Sequence, residues 1–103
     1  MADNDQSSGE IVVLVKVFGG LREITGGELA KGTATVRLSG EASVSDVIGA
    51  IAAQAPMLAE RIRSGSGYLN VLLNGRNVRF LAGMDTAVFD GATVSILPPI
   101  GGG

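Results

Sequence analysis

Apolar and polar positions along this chain follow two different periods, which divide it into strands and one clear helix. Residues 11–18 (IVVLVKVF) are apolar and largely β-branched, with Lys16 the one polar member. A strand apolar on both faces belongs in the middle of a sheet covered on both sides, or nearly so. Residues 33–39 alternate instead: Ala34, Val36 and Leu38 face inward, Thr35 and Arg37 outward, as in a half-buried strand. From Val44 the period becomes helical. Val44, Val47, Ile48, Ile51, Ala52 and Ala55 make one apolar stripe. Ser43 can cap it, with Asp46 three residues on in a capping-box-like pattern, and Pro56 ends the regular run. Residues 57–63 admit a short second helix. Residues 69–73 are a strand, and Asn74-Gly75 is the favoured two-residue hairpin turn, since both central positions of a type I′ turn need φ > 0. Residues 77–80 return from it. Residues 83–87 are irregular, Asp90-Gly91 reads as a second turn of the same kind, and residues 93–97 are the last strand.

Two hairpins with a helix between them predict an α+β layer. The expected architecture is the β-grasp (ubiquitin-like) one, a mixed sheet of four to five strands with one main helix packed on one face. Residues 1–10, polar and acidic, read as a disordered leader. Residues 11–97 make the domain and 98–103 a flexible tail. Neither Pro98 nor Pro99 has an N–H for a ladder, and both favour extended geometry, so the tail is projected away from the sheet.

Composition narrows the chemistry. The 103 residues suffice for one domain, and 46% are hydrophobic, ordinary for a globular chain. There is no cysteine and no histidine, so the usual nucleophile–base pairs cannot be assembled. No Asp/Glu pair has ligand-like spacing on one predicted element, so no metal site is expected. The formal charge is −2, and the eight Lys and Arg are scattered, which argues against nucleic acid as the main partner. The longest strictly apolar run, 11–15, is far short of a membrane span. The acidic leader is the opposite of a targeting peptide, so a cytoplasmic protein is expected. Gly27-Glu28-Leu29-Ala30-Lys31-Gly32 has half the spacing of a phosphate loop, but Thr33 stands where the lysine belongs. Gly65-Ser66-Gly67 lacks the third glycine of a dinucleotide fingerprint and precedes a strand. Both are read as loops. Arg76 and Arg79, flanking Asn74-Gly75, are read as solvated surface charges.

Leu97-Pro98-Pro99-Ile100-Gly101-Gly102-Gly103 is the most informative stretch. Three glycines have no side-chain chemistry and lose much freedom on ordering. From the glycines alone, two readings stand: a frayed end, or a thin backbone that delivers an α-carboxylate into a narrow channel on another protein. The residues before them are more specific. Val71-Leu72-Leu73-Asn74-Gly75-Arg76-Asn77-Val78-Arg79-Phe80, then Gly83-Met84-Asp85-Thr86, Asp90-Gly91, and the strand running through Pro98-Pro99-Ile100 to Gly102-Gly103 resemble the ubiquitin-like sulfur-carrier family. That family includes the molybdopterin-synthase small subunit, the thiamin and cysteine-route sulfur carriers and the small archaeal modifiers. The resemblance covers the domain from Ile11 onward and selects the functional reading of the tail. It implies a carrier that is not itself an enzyme and binds no cofactor. A ubiquitin-activating-type adenylyltransferase uses ATP to adenylate the Gly103 carboxylate, which is ionised at neutral pH. A sulfur donor then yields a thiocarboxylate. Pro98, Pro99, Ile100, Gly101 and Gly102 are the implied partner-binding residues. The sulfur passes to an acceptor enzyme such as a molybdopterin-synthase large subunit. Alternatively Gly103 is conjugated to target-protein lysines, or the chain is a binding module with an inert tail.

Overall fold

In the computed structural model, which describes residues 9–65 and 68–99, the apolar run that opens the chain is strand β1 (Glu10–Val17). It is followed by β2 (Thr33–Ser39), β3 (Ala42–Ser43), the helices α1 (Val44–Ile51) and α2 (Pro56–Ser64), and then β4 (Asn70–Leu73), β5 (Arg76–Asn77), β6 (Ala87–Val88) and β7 (Thr93–Leu97). Five strands form one sheet in the order β2-β1-β7-β4-β5, and β3 pairs with β6 apart from it. In the main sheet only β1 and β7 run parallel. With the helices on one face of this mixed sheet, the architecture is the expected β-grasp.

Strand periodicity decides what is buried. Val13, Val15 and Val17 alternate onto the face that also carries Ala34, Val36, Val71, Leu73, Val94 and Ile96, and all are buried. Against them α1 sets Val44, Val47, Ile48 and Ile51, each fully buried, and α2 adds Leu58 and Ala59. No polar side chain is buried among the described residues, so the core is held by apolar burial alone, about 25 cal/mol per Å2.

Several expectations need correction. The second face of β1 is not covered by another layer: Val12, Leu14 and Lys16 are half-exposed. Its apolar character comes from its interior place in the sheet, not from burial on both sides. Glu10, placed above in the leader, opens β1, and its carboxylate lies 3.8 Å from Arg37. Residues 1–8 of the leader lie outside the described residues. Between β1 and β2 lie two 3-10 turns, Gly19–Ile24 and, inside the stretch read as loop, Gly27–Lys31, which drive Leu21 and Leu29 into the core. The helical run is shorter than the stripe suggests: α1 ends at Ile51 with Ala52 as its C-cap, Ala55 caps α2, and Pro56 opens α2 at its first position, where a missing N–H costs nothing. The strand returning from Asn74-Gly75 is only two residues long, because Val78–Phe80 turns into a 3-10 helix that buries Val78. Asp90-Gly91 is not a type I′ turn: among the described non-glycine residues only Tyr68 and Asn74 have positive φ. The strands it joins, β6 and β7, belong to different sheets.

The α1 cap is built as the sequence suggests. The Ser43 hydroxyl accepts from the Asp46 N–H at 3.3 Å, and the Asp46 carboxylate accepts from the Ser43 N–H at 2.8 Å. Replacing Ser43 with Ala is expected to cost about 1 kcal/mol. That corresponds to a fall of about 4–8 °C in Tm for a domain of this size, to be read by thermal melting. A Tm equal to wild type would mean that β3 and α1 are held by packing alone.

Candidate functional site

The tail leaves the molecule from β7, so the site begins with what fixes that strand. Two side chains prepare its start. Asn74, at φ +50, and Gly75, at φ +87, make the tight turn that both residue types favour. Asn74 then bonds the first residue of β7 twice: its N–H donates to the Thr93 carbonyl at 2.8 Å, and its Oδ1 accepts from the Thr93 N–H at 2.9 Å. From the other side, Asp90 Oδ1 accepts the Val12 N–H at 2.8 Å and Gly91 N–H donates to the Val12 carbonyl at 2.8 Å. The approach to β7 is thus tied to β1 before pairing begins. The register follows: Leu14 opposite Thr93 through Val17 opposite Ile96 on one side, Leu73 opposite Val94 through Asn70 opposite Leu97 on the other.

At the far end of β7 the chain passes between two neighbours. Phe18 N–H donates to the Ile96 carbonyl at 3.0 Å. Gly19 follows in the left-handed region at φ +64, and a Cβ there would come 3.5 Å from Pro98 Cγ. On the opposite side, Asn70 Nδ2 donates to the Pro98 carbonyl at 3.5 Å, and Asn77 Nδ2 donates to Asn70 Oδ1 at 3.1 Å. Of the residues assigned to the tail, Pro98 is half-buried in this cleft and Pro99 is exposed. Ile100, Gly101, Gly102 and Gly103 lie outside the described residues.

The sheet face turned away from the helices is the broad surface next to this exit. Val12, Leu14, Leu72 and Leu97 are half-exposed on it, interleaved with Thr35, Arg37 and Ser95. Lys16, Phe18 and Arg22 line a shallow depression beside Gly19. The chain's aromatics are all outside its core: Phe18 is 43% exposed, Phe89 74%, Tyr68 79% and Phe80 80%. Arg76 and Arg79 are exposed on the flank of the β4–β5 turn. No group of three or more Asp and Glu among the described residues could hold a metal ion. No described helix is long and apolar enough to cross a membrane. Among the described residues, the open sheet face thus lies directly beside the end of β7 and Pro98.

Sequence reasoning passed over Asn70, Asn77 and Gly19. A signal for the first was available, since asparagine is depleted in strands and Asn70 interrupts an apolar one. Its partner across the sheet was not readable, because it depends on the pairing of β4 with β7 and β5.

Residues 15–103 match the ThiS family. The chain belongs to that family. Its ThiS-family relatives include small archaeal modifier protein 3 of Haloferax volcanii, 44% identical over 70 residues, which are 65% of this chain and 76% of that protein. The sulfur carrier protein CysO of Mycobacterium tuberculosis is 34% identical over 89 residues, 81% of this chain and 89% of that one. Among solved structures, small archaeal modifier protein 1 from Methanosarcina acetivorans superposes with a TM-score of 0.66 at 34% identity, covering 91% of this chain and 98% of that one. This ThiS-family protein is thus a small carrier-type chain, homologous both to a sulfur carrier and to protein modifiers.

The last residue paired in the sheet is Leu97, with Asn70. Deleting residues 101–103 is therefore expected to leave Tm within about 2–4 °C of wild type, the range of a surface change. A larger fall in a thermal melt would assign the glycines a role in the fold.

Proposed function

We propose that this protein is a sulfur carrier whose reactive group is the Gly103 carboxylate. The observation that carries the reading is the family match running through Gly102-Gly103, directly after a strand closed by Pro98-Pro99. On a partner of the ubiquitin-activating type, a carboxylate oxygen attacks the α-phosphorus of ATP. A P–O bond forms, pyrophosphate leaves, and the chain end becomes an acyl-adenylate. Sulfide delivered by a donor then attacks the carbonyl carbon, a C–S bond forms and AMP leaves, giving a thiocarboxylate. That sulfur goes to a biosynthetic acceptor such as molybdopterin, cysteine, thiamin or tRNA. The carrier needs no catalytic side chain, which accords with a chain that has neither His nor Cys. Gly101 and Gly102 serve by having no Cβ to collide with a narrow channel.

A second reading is conjugation, favoured by the 44% identity to small archaeal modifier protein 3. The same acyl-adenylate acylates a target lysine amine, forming an isopeptide bond with release of AMP. The two differ only in the acceptor. Branched C-terminal remnants on lysines of digested cellular proteins would establish conjugation. Only free or thiocarboxylated carrier, under conditions that preserve conjugates, would exclude it.

With its cognate adenylyltransferase, ATP and a sulfide source, the intact protein is expected to gain the mass difference between sulfur and oxygen, localised to its C-terminal peptide. An active enzyme that yields neither adenylate nor thiocarboxylate would sink the proposal. Adding one alanine after Gly103 shifts the carboxylate by at most about 3.3–3.6 Å. That extension is expected to leave Tm unchanged and abolish adenylation, read by pyrophosphate exchange on protein verified to be untrimmed. Normal exchange would remove Gly103 from the mechanism.

A further inference from the structure

Beside the exit of the tail lies a directed chain of hydrogen bonds. The Arg79 N–H donates to Asn77 Oδ1 at 3.0 Å, Asn77 Nδ2 donates to Asn70 Oδ1 at 3.1 Å, and Asn70 Nδ2 donates to the Pro98 carbonyl at 3.5 Å. Its two ends fix its sense. A backbone N–H can only donate and a carbonyl can only accept, so both amides have one satisfied orientation. Asn70 and Asn77 are diagonal neighbours on adjacent strands, within reach across the sheet. Both are half-buried on the face turned away from the helices, where no packing demand calls for asparagine. Bonds in such a series polarise one another. On the other side Gly19 leaves room for a methyl group beside Pro98, since a Cβ built there would sit 3.5 Å from Pro98 Cγ. The hold on Pro98 therefore comes from the β4 side, through the Asn70 donor.

We propose that Asn70, oriented by Asn77, is a positioning residue: it fixes the direction in which the chain leaves the sheet and so sets how efficiently the chain end is activated. This rests on the sulfur-carrier or modifier reading given above. The physical reason is leverage. Five residues follow Pro98 and reach at most about 17 Å when drawn out, so in the extended form that a narrow channel imposes, a swing of about 10° at their base moves the tip by about 3 Å. Reactivity is sensitive to about 1 Å. What changes is the fraction of docked complexes whose carboxylate meets the α-phosphate, an effect on kcat read at saturating carrier.

Two substitutions break the same bond by different routes. Asn70→Asp keeps the size and the oxygen that accepts from Asn77, but turns an oxygen toward the Pro98 carbonyl. Asn77→Asp touches nothing in the tail. It keeps the bond to the Arg79 N–H but presents an oxygen to Asn70, whose amide must then turn its nitrogen away from Pro98. With the cognate adenylyltransferase at saturating carrier, both variants are expected to lose at least about 10-fold in kcat of pyrophosphate exchange, inside the ~10²-fold range of a 1 Å misplacement. In both, the Pro98 carbonyl carbon resonance is expected to move upfield, while Tm stays near that of wild type. Wild-type kcat in both variants would overturn the proposal. So would a loss that disappears when rates are compared at equal distance below each variant's Tm, since the role would then be merely structural. A wild-type chain that its active enzyme does not adenylate would instead overturn the proposed function. The hold on Pro98 is then judged by the carbon resonance alone, and an unmoved resonance in Asn70→Asp refutes it.

Discussion

The fold depends on β7 being paired on both sides, parallel to β1 and antiparallel to β4. Remove that strand and the remainder is two separate antiparallel pairs, each with an unsatisfied edge and half a core. With it, Val94 and Ile96 lie at the centre of the apolar layer, fully buried between Val15, Val17, Val71 and Leu73. Register is unforgiving here, since a slip of one residue would send Val94 and Ile96 to the open face. The bonds of Asp90 to Val12 and of Asn74 to Thr93 set that register from both neighbours before the ladder begins.

Much of this was legible in the chain because the deciding signals are local. The capping box at Ser43 and Asp46, the alternation of 33–39 and the left-handed pair Asn74-Gly75 each act within a few residues and appear as read, and the stripe holds from Val44 to Ile51, with Ala52 and Ala55 beyond the end of the helix. What failed was set by distant partners. Val12 and Leu14 look like core residues, but nothing in their own stretch says that the sheet has only one layer of helix. Asp90-Gly91 has a hairpin dipeptide, yet the strands on either side go to different sheets, so the Asp90 side chain serves as a tie to β1. Leu21 and Leu29 sit among glycines, whose composition hides two turns that reach the core. Pro98 and Pro99 were legible as the stop of the last strand, which ends at Leu97. The place of Pro98 beside Asn70 was not, because β4, β5 and β7 must be paired first.

Aliphatic and aromatic side chains occupy different places in this protein. The core is aliphatic throughout, while Phe18, Tyr68, Phe80 and Phe89 are left in solvent. Valine, isoleucine and leucine fill the thin space between a short helix and a five-stranded sheet in stiff rotamers and leave no polar atom to satisfy. Aromatic side chains supply large contact area with few rotatable bonds, which suits recognition more than it suits so small an interior. The aliphatic interior is thus independent of the exposed aromatics, and the surface can change without disturbing it.

The pairing of Leu14 with Thr93 joins the first strand to the last. Contacts between such distant positions close slowly, because the entropy of the intervening loop is spent before they form. During synthesis the central strand therefore emerges from the ribosome after every other strand, and the two halves of the sheet stay unjoined until it arrives. Pro98 follows it directly, so the amide chain of Asn77 and Asn70 has no carbonyl to hold until the sheet has closed.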